Sequence, residues 1–373
     1  MEPTLGVIHL DCAAGVPLLP ELAAQYPLLA QRFGLNPHGL TCYAEEARRA
    51  LLDAERRLLS LCGTSCAEAG VVWCATGTEA ANLALRGFPW KHADAPLAID
   101  LGAHPAMRET ARALRGHPLQ GFLVQPDGSL KFHASSTLPP PALAALSLVN
   151  NETGVVWNGD RTALPPDCAV ALDACQAFGK HPLPWKASDL MILSSRKLGG
   201  PATGAALVYR KSLRLNPIIT GGGQQDGLRS GTLDTASILL FVKAAELACA
   251  QREHAWTAVS KFNRMLREGI ARLGKGAWPI FSPETASPYI CYFAIPGYEG
   301  AIVARALAEK YHIIIGTGSA CSAESRHTSP LLHEMGVTDG LARSALRVSF
   351  SSHTTPDELE RLLDALPEIL ADY

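Results

Sequence analysis

The 373-residue sequence has little charge, few aromatic residues and no uninterrupted apolar run long enough to cross a membrane. Charged residues make up 18% of the chain, aromatic residues make up 6%, and the formal net charge is -2. So small a net charge gives no attraction to nucleic acid or to an anionic membrane surface, and we therefore expect a small-molecule partner. Lys243 and Glu246 interrupt the longest apolar stretch, 236–250, as in a core helix.

The start of the sequence lacks the basic residues and apolar core of a secretory signal peptide, which predicts a cytoplasmic protein. Because thiols stay reduced in the cytoplasm, we expect the ten cysteines to be free and most of them to be buried. The cysteines that fit this expectation best are Cys12, Cys74, Cys175 and Cys291. No second pair of Cys or His residues follows Cys62 and Cys66 at ligand spacing, so no metal site is predicted.

Short apolar runs after an amphipathic helix at 43–63 predict a buried sheet. The seven runs are 71–75, 97–101, 121–124, 146–150, 169–173, 190–194 and 205–209. Helical patterns at 78–87 and 104–115 separate the early runs, as expected for parallel strands joined by crossover helices. A short Gly/Pro-rich loop joins the last two runs, which should be antiparallel. The predicted fold class is α/β, with a mostly parallel seven-stranded sheet.

The chain is longer than one hydrophobic core usually organises, which favours two domains. A long helical pattern from 233 to about 273 is followed by apolar strands at 289–295 and 345–351 and by a helix that starts near Thr355. We expect a large domain at 16–254 and a smaller α+β domain formed by 1–15 and 255–373. The smaller domain contains a loop of mostly small residues at about 316–335, with Cys321 near its start.

Polar residues cluster where predicted strands end, which is where open parallel sheets bind ligands. The segment 74–85 runs from a strand through Gly77 and Thr78 into a helix, whose N-terminal N–H groups suit a phosphate. The alternative is a tight turn with a capping box from Thr76 to Glu79.

Two further strand ends carry residues that suit a cofactor. Lys197 follows Ser194 and Arg196 before a glycine-rich loop, so it is either a Schiff-base lysine beside a phosphate site or half of a solvated Arg-Lys pair. Asp173 ends another strand and is either a turn residue or a buried carboxylate that faces a cation, such as a pyridinium nitrogen.

A histidine and an arginine leave alternatives open. His104 follows a strand and either caps a helix or stacks on a planar ring. Arg347 lies inside an apolar strand. Because burying an unpaired charge is costly, it meets either an internal carboxylate or the carboxylate of a substrate.

Together these segments resemble the cysteine desulfurases of the class V aminotransferase group, which are fold-type I pyridoxal phosphate (PLP) enzymes. The resemblance covers nearly the whole chain. In family order, its segments are HLDCAAGVP (9–17), NPHGLTCYAEEA (36–47), ATGTEAANLAL (75–85), AHPAM (103–107), LVNNETGVV (148–156), ALDACQAFGK (171–180), SSRKLGGPATGA (194–205), GGGQQDGLRSGTL (221–233), GSACSAES (318–325) and ALRVSFSSHTT (345–355). The length from Gly318 to Gly336 resembles the branch with a long catalytic loop.

The resemblance implies a PLP site and a role for each of its residues. Lys197 would carry PLP, Asp173 would bind the pyridinium nitrogen, His104 would stack on the ring and Gln176 would bind the phenolic oxygen. The residues implied for the phosphate are Gly77, Thr78, Ser194, Arg196 and, from a second subunit, Thr232. Asn151 and Arg347 would bind the carboxylate of L-cysteine. The catalytic residues would be Cys321, Lys197 and His104.

The implied reaction removes sulfur from L-cysteine and gives L-alanine and a persulfide on Cys321. A homodimer is implied, together with a sulfur acceptor that is an iron–sulfur scaffold or a tRNA-thiolation protein.

Two departures from the family stand out: Arg196 replaces a usual histidine, and 155–169 is too short and proline-rich for the usual crossover helix. The alternatives are a selenocysteine lyase, another β-lyase or an aminotransferase on this fold, or a non-catalytic docking partner.

Overall fold

The computed structural model describes residues 6–125, 127–133, 138–317, 331–332 and 336–373. Within these residues the strands are β1 (Ile8–His9), β2 (Ala69–Cys74), β3 (Leu97–Asp100), β4 (Leu119–Val124), β5 (Leu130–His133), β6 (Leu143–Ser147), β7 (Ala169–Asp173), β8 (Leu190–Ser194), β9 (Ala205–Arg210), β10 (Trp278–Pro279), β11 (Ile290–Ala294), β12 (Ile313–Ile314), β13 (Gly316–Thr317) and β14 (Ala345–Ser349). The helices are α1 (Pro20–Arg32), α2 (Cys42–Leu61), α3 (Gly77–Arg86), α4 (Pro105–Arg112), α5 (Thr235–Arg272), α6 (Gly300–Tyr311), α7 (Asp339–Arg343) and α8 (Pro356–Asp372).

The large sheet has the strand order β2-β9-β8-β7-β6-β3-β4-β5. Its centre, from β8 to β4, is parallel, and the predicted antiparallel pairing of the last two runs is confirmed by β8 and β9. Each of the seven predicted runs overlaps a strand of this sheet. The eighth strand, β5, was not predicted. It has only four residues and pairs antiparallel with β4 across a short turn, so the sequence offers too little apolar alternation to mark it.

Helices cover both faces of this sheet. The apolar faces of α3 and α4 pack on one side, and those of α1, α2 and α5 pack on the other. Adjacent side chains of β2 divide between the two sides: Val72 belongs to the first core and Trp73 to the second. A strand buried on both faces needs apolar residues at every position, which explains why these runs do not alternate.

The C-terminal part forms a smaller antiparallel sheet, with the order β10-β11-β14-β13. The N-terminal segment joins it, because β1 pairs in parallel with β12 and Asp11 forms a bridge with Ser349. The last helix, α8, begins at the predicted position: Thr355 and Glu358 form a reciprocal capping box. Residues from both ends of the chain therefore lie together beside the end of the large sheet.

Two expectations about helices are also confirmed. The long pattern at 233–273 is the 38-residue helix α5. The segment 155–169, between β6 and β7, contains no helix. Within the described residues, no helix is both long and apolar enough to cross a membrane.

Candidate active site

A cavity of about 310 Å³ lies at the carboxyl ends of the central parallel strands of the large sheet. Strands β6, β7 and β8 end there with Ser147, Asp173 and Ser194. Helix α3 begins at the same place, directly after β2. The lining consists of Ala14, Thr76, Gly77, Thr78, His104, Ala106, Ser147, Val149, Asn151, Asp173, Cys175, Gln176, Ser194, Arg196, Lys197 and Ala202. The fold thus brings together most of the residues that the sequence predicted for the site.

The start of α3 forms one wall of the cavity. Thr76 caps the helix by accepting a hydrogen bond from the backbone N–H of Glu79. The predicted capping box is incomplete, because the Glu79 carboxylate accepts from the N–H of Ala75 rather than from that of Thr76. The N–H groups of Gly77 and Thr78 have no acceptor within the helix and lie at its positive end. This wall therefore suits an anionic group.

Lys197 lies on a short 3₁₀ helix, Ser195–Leu198, that directly follows β8. Its amine donates to the carbonyl oxygens of Ala13 at 2.7 Å and Ala14 at 2.8 Å. Burial is the main cause that lowers the pKa of Lys197, and the positive charges of Arg347 and Arg196 act in the same direction. The amine is therefore more readily deprotonated than that of an exposed lysine.

His104 and Asp173 occupy other walls of the cavity. The Nδ1 atom of His104 accepts from the backbone N–H of Ala106 at 3.1 Å and so caps α4. When the ring is neutral, its proton is therefore on Nε2. Burial lowers the pKa of His104, which favours this neutral form. The carboxylate of Asp173 accepts from the N–H of Cys175 at 2.9 Å.

Gln176 belongs to the same wall as Asp173 and is nearly fully buried. Its side-chain amide donates to the carbonyl oxygen of Ala13 at 2.8 Å, the same oxygen that accepts from Lys197. This shared acceptor fixes the side chains of Gln176 and Lys197 relative to the backbone at Ala13.

Arg347 meets an internal carboxylate, which is one of the two partners that the sequence analysis left open for it. Its guanidinium pairs with Asp11 at 2.6 Å and donates through Nη1 to the backbone oxygen of Asn151 at 2.7 Å. Asn151 lines the cavity, whereas Arg347 lies behind that lining. Its residue-level exposure is 4%.

Besides Arg347, two further predicted residues are not among those that line the cavity. Thr232 is exposed and lies just before α5, outside the lining of this single chain. Cys321 lies outside the described residues.

Sequence reasoning missed several members of the site. Ser147 was hidden because the predicted run, 146–150, is shifted from the true strand. Cys175 was expected only as a buried thiol but lines the cavity, and burial raises its pKa well above the ordinary value. No role was predicted for Asp11, which lies within the segment 9–17. Among the described residues, no cluster of three or more His, Cys, Asp or Glu side chains is arranged to hold a metal ion.

Comparison with known proteins identifies the family. The model of the class V aminotransferases matches residues 8–362. A cysteine desulfurase from Cereibacter sphaeroides is 32% identical over 97% of this chain and 95% of its own length. The chain belongs to the cysteine desulfurase family. Another family member, cysteine desulfurase NifS from Azotobacter vinelandii, is 28% identical over 98% of this chain and 92% of its own length.

Solved structures agree with the fold of this cysteine desulfurase family member. A NifS-like protein superposes with a TM-score of 0.88 at 24% identity, over 98% of this chain and 100% of the other. A structure described as SspA in complex with cysteine gives a TM-score of 0.74 at 25% identity, over 93% of this chain and 99% of the other.

Class V aminotransferases and cysteine desulfurases are PLP-dependent enzymes, and the donor set of the cavity fits that cofactor. PLP needs an amine, an acceptor for its ring nitrogen and several donors for its phosphate. Lys197 supplies the amine and Asp173 the acceptor. The start of α3 and the side chains of Ser194 and Arg196, which line the same cavity, supply phosphate donors.

Proposed function

We propose that this protein is a PLP-dependent cysteine desulfurase that converts L-cysteine to L-alanine and retains the sulfur as a persulfide. The observation that carries the proposal is the setting of Lys197. Its amine has a lowered pKa and lies in one cavity with Asp173, His104 and the start of α3. The names of the relatives support L-cysteine as the substrate.

The residues with proposed roles divide into those that would hold the cofactor and those that would bind the substrate. The residues that would hold PLP are Lys197, Asp173, His104, Gln176, Gly77, Thr78, Ser194 and Arg196. When bound, PLP supplies an electron-withdrawing ring that stabilises the charge left when a bond at the substrate's Cα breaks. Asn151 and Arg347 would bind the substrate's carboxylate.

Lys197 and His104 are the residues that would move protons. The lowered pKa of Lys197 leaves a larger fraction of its amine deprotonated than in an exposed lysine, so the amine can accept a proton from the substrate's Cα and return one to the product. His104 uses Nδ1 to cap α4, so a proton exchanged with the substrate would pass through Nε2. The hydrogen bond that Nδ1 accepts from the N–H of Ala106 fixes the orientation of the ring in the cavity.

Cys321 is the proposed nucleophile, on the basis of its sequence context. Its thiolate attacks the sulfur of the substrate, a sulfur–sulfur bond forms, and the Cβ–S bond breaks. The electron pair of the broken bond stays with carbon, which takes up a proton to become the methyl group of alanine. The persulfide remains on Cys321 until an acceptor removes it.

The proposal includes several wider expectations. Thr232 of one subunit would complete the phosphate site of the other in a cytoplasmic homodimer. The large domain would comprise 16–254, and 1–15 with 255–373 would form the smaller one. The acceptor would be a sulfur-accepting protein, such as an iron–sulfur scaffold or a tRNA-thiolation protein.

The test is to incubate the purified holoprotein with L-cysteine and a thiol reductant and to measure alanine and sulfide together. We expect equal amounts of both from the wild type and neither from Cys321→Ala. A Cys42→Ala variant, which removes an exposed cysteine at the start of α2, should behave as the wild type does. Alanine formation that is absent, or equally fast without Cys321, would favour another PLP reaction on this fold.

A further inference from the structure

The ion pair between Asp11 and Arg347 is nearly inaccessible to solvent: the two side chains are 11% and 5% exposed. One carboxylate oxygen, Oδ1 of Asp11, accepts from Nη2 at 2.6 Å and from Nε at 3.2 Å. Two donors that converge on one oxygen fix the plane of the guanidinium, because rotation of the group would break both bonds.

The same guanidinium keeps donors for a ligand. An arginine has five N–H groups. Asp11 accepts from two of them, and the backbone oxygen of Asn151 accepts from a third at 2.7 Å. One N–H on each Nη atom is left without an acceptor among the residues that the structure describes. Two such groups suit a carboxylate, which has two oxygens to offer.

The turn that begins at Asp11 also contacts the cofactor lysine. The N–H of Ala14 donates to the carbonyl of Asp11 at 3.0 Å, which closes the turn. The carbonyl oxygens of Ala13 and Ala14 accept from the amine of Lys197. The N–H of Ala13 donates to the side chain of Ser349, two residues beyond Arg347 on β14, at 2.9 Å. One short turn therefore positions both the lysine and the arginine.

We propose that Asp11 is a positioning residue for recognition of the substrate's α-carboxylate, which it controls by orienting Arg347 and partly neutralising its charge. The inference rests on the proposed function in that the ligand is an α-amino acid. A substrate carboxylate shares Arg347 with Asp11, so the negative charge of Asp11 weakens binding. Weaker binding of the carboxylate favours release of the product, because L-alanine carries the same carboxylate as L-cysteine.

The test compares two variants of the holoprotein that separate charge from shape. Asp11→Asn removes the charge and keeps an oxygen that can accept from Arg347, whereas Asp11→Glu keeps the charge. The binding of L-alanine is measured from the change in absorbance of the bound cofactor, and the binding of propionate from its competition with L-alanine. Propionate carries the carboxylate without the amino group, so it reports on the carboxylate site alone.

We expect both dissociation constants to fall several-fold in Asp11→Asn and not to fall in Asp11→Glu. Arg347→Lys should raise both at least tenfold. Asp189→Asn is the matched control, because it removes a carboxylate from a partly buried ion pair with Arg210, which belongs to the large sheet rather than to the small sheet that contains Arg347. It should leave both constants unchanged.

Constants that stay the same or rise in Asp11→Asn, in a protein with wild-type cofactor content and near-ultraviolet circular dichroism, would overturn the inference. If that variant does not fold, Asp11→Ser replaces it, since it also removes the charge and keeps an oxygen, and the same expectation applies. Desulfuration by the wild type is measured separately. A protein that releases no sulfide but binds propionate more tightly in Asp11→Asn would refute the proposed function and keep this inference.

Discussion

The carboxylate of Glu79 accepts two hydrogen bonds from the guanidinium of Arg229, at 2.7 and 3.3 Å. The pair joins the first turn of α3 to the loop at 219–232. A second link lies nearby, where the side-chain amide of Gln225 pairs with both the N–H and the carbonyl of Trp73. These contacts hold the loop against β2 and α3, so the wall of the cavity proposed to bind phosphate depends on a loop about 150 residues away in sequence.

Arg229→Met should destabilise the protein by about 2 kcal/mol, because it leaves the mostly buried Glu79 carboxylate without its charged partner. The free energy of unfolding from urea titration of the apoprotein checks this. We also expect faster loss of PLP on dilution. The control is Arg305→Met, which breaks an exposed ion pair with Glu309 on α6 and should cause no measurable change. Equal effects of the two substitutions would contradict a special role for the Glu79 contact.

Much of this fold was predictable because its signals are local. Each predicted apolar run overlaps a strand, and Lys197, Asp173 and Ser194 were placed at the site because parallel strands end at one edge. The predicted end of α2 is confirmed as well: Gly63 adopts a positive φ of 75° just after the helix.

The parts that escaped prediction depend on contacts between distant residues. Asp11 and Arg347 are 336 positions apart, and neither segment alone indicates that one neutralises the other. The sequence offered an internal carboxylate for Arg347 but could not name it. Likewise, the apolar run around Ser147 continues past the end of β6, so the register of the strand had no local marker.

Lys197 should react as a neutral amine at lower pH than an ordinary lysine does. Burial lowers its pKa, so at any pH below the ordinary value of about 10.4 a larger fraction of its amine is deprotonated. Reductive methylation of the apoprotein across a pH series, with the Lys197 peptide quantified by mass spectrometry, measures this. The reference is Nα-acetyl-lysine in the same solution, which keeps a free side-chain amine. A midpoint equal to that of the reference would contradict the expected desolvation of the amine.

His181 should make the folded protein sensitive to acid. Burial, with smaller contributions from the charges of Lys180 and Arg252, lowers the pKa of His181 from 6.5 to about 4. The unfolded chain therefore binds this proton at a higher pH than the folded chain does, and stability is lost as the pH falls from about 6.5 to 4. Over that range of pH, the free energy of unfolding of the wild type should fall by about 3 kcal/mol more than that of His181→Gln.

Urea titrations at pH 4, 5, 6 and 7 would measure this difference. The Nε2 atom of His181 lies 2.8 Å from Oγ of Ser287, and glutamine can keep a polar contact there. His353→Gln, at an exposed position, is the control and should follow the pH profile of the wild type. Parallel profiles for the wild type and His181→Gln would show that this histidine is not the acid-sensitive group.

Gly316→Ala should weaken carboxylate binding, in contrast to the tighter binding expected for Asp11→Asn. Gly316 pairs with Arg347 across β13 and β14. A Cβ atom at residue 316 would lie 2.7 Å from Oδ1 of Asp11 and 2.9 Å from Nη2 of Arg347, so the ion pair would have to shift. Crowding of this kind costs about 1–3 kcal/mol of stability. It should also raise the dissociation constants for L-alanine and propionate by about tenfold, an amount equivalent to about 1.4 kcal/mol.

The matched control for this substitution is Gly340→Ala. An added Cβ there meets no atom within 4 Å, and the residue lies in α7, where alanine favours the helix by up to about 1 kcal/mol. Stability should be unchanged or slightly higher, and ligand binding should not change. If Gly316→Ala instead bound propionate as the wild type does, displacement of the guanidinium would not affect the carboxylate site, and Arg347 could not be the residue that binds it.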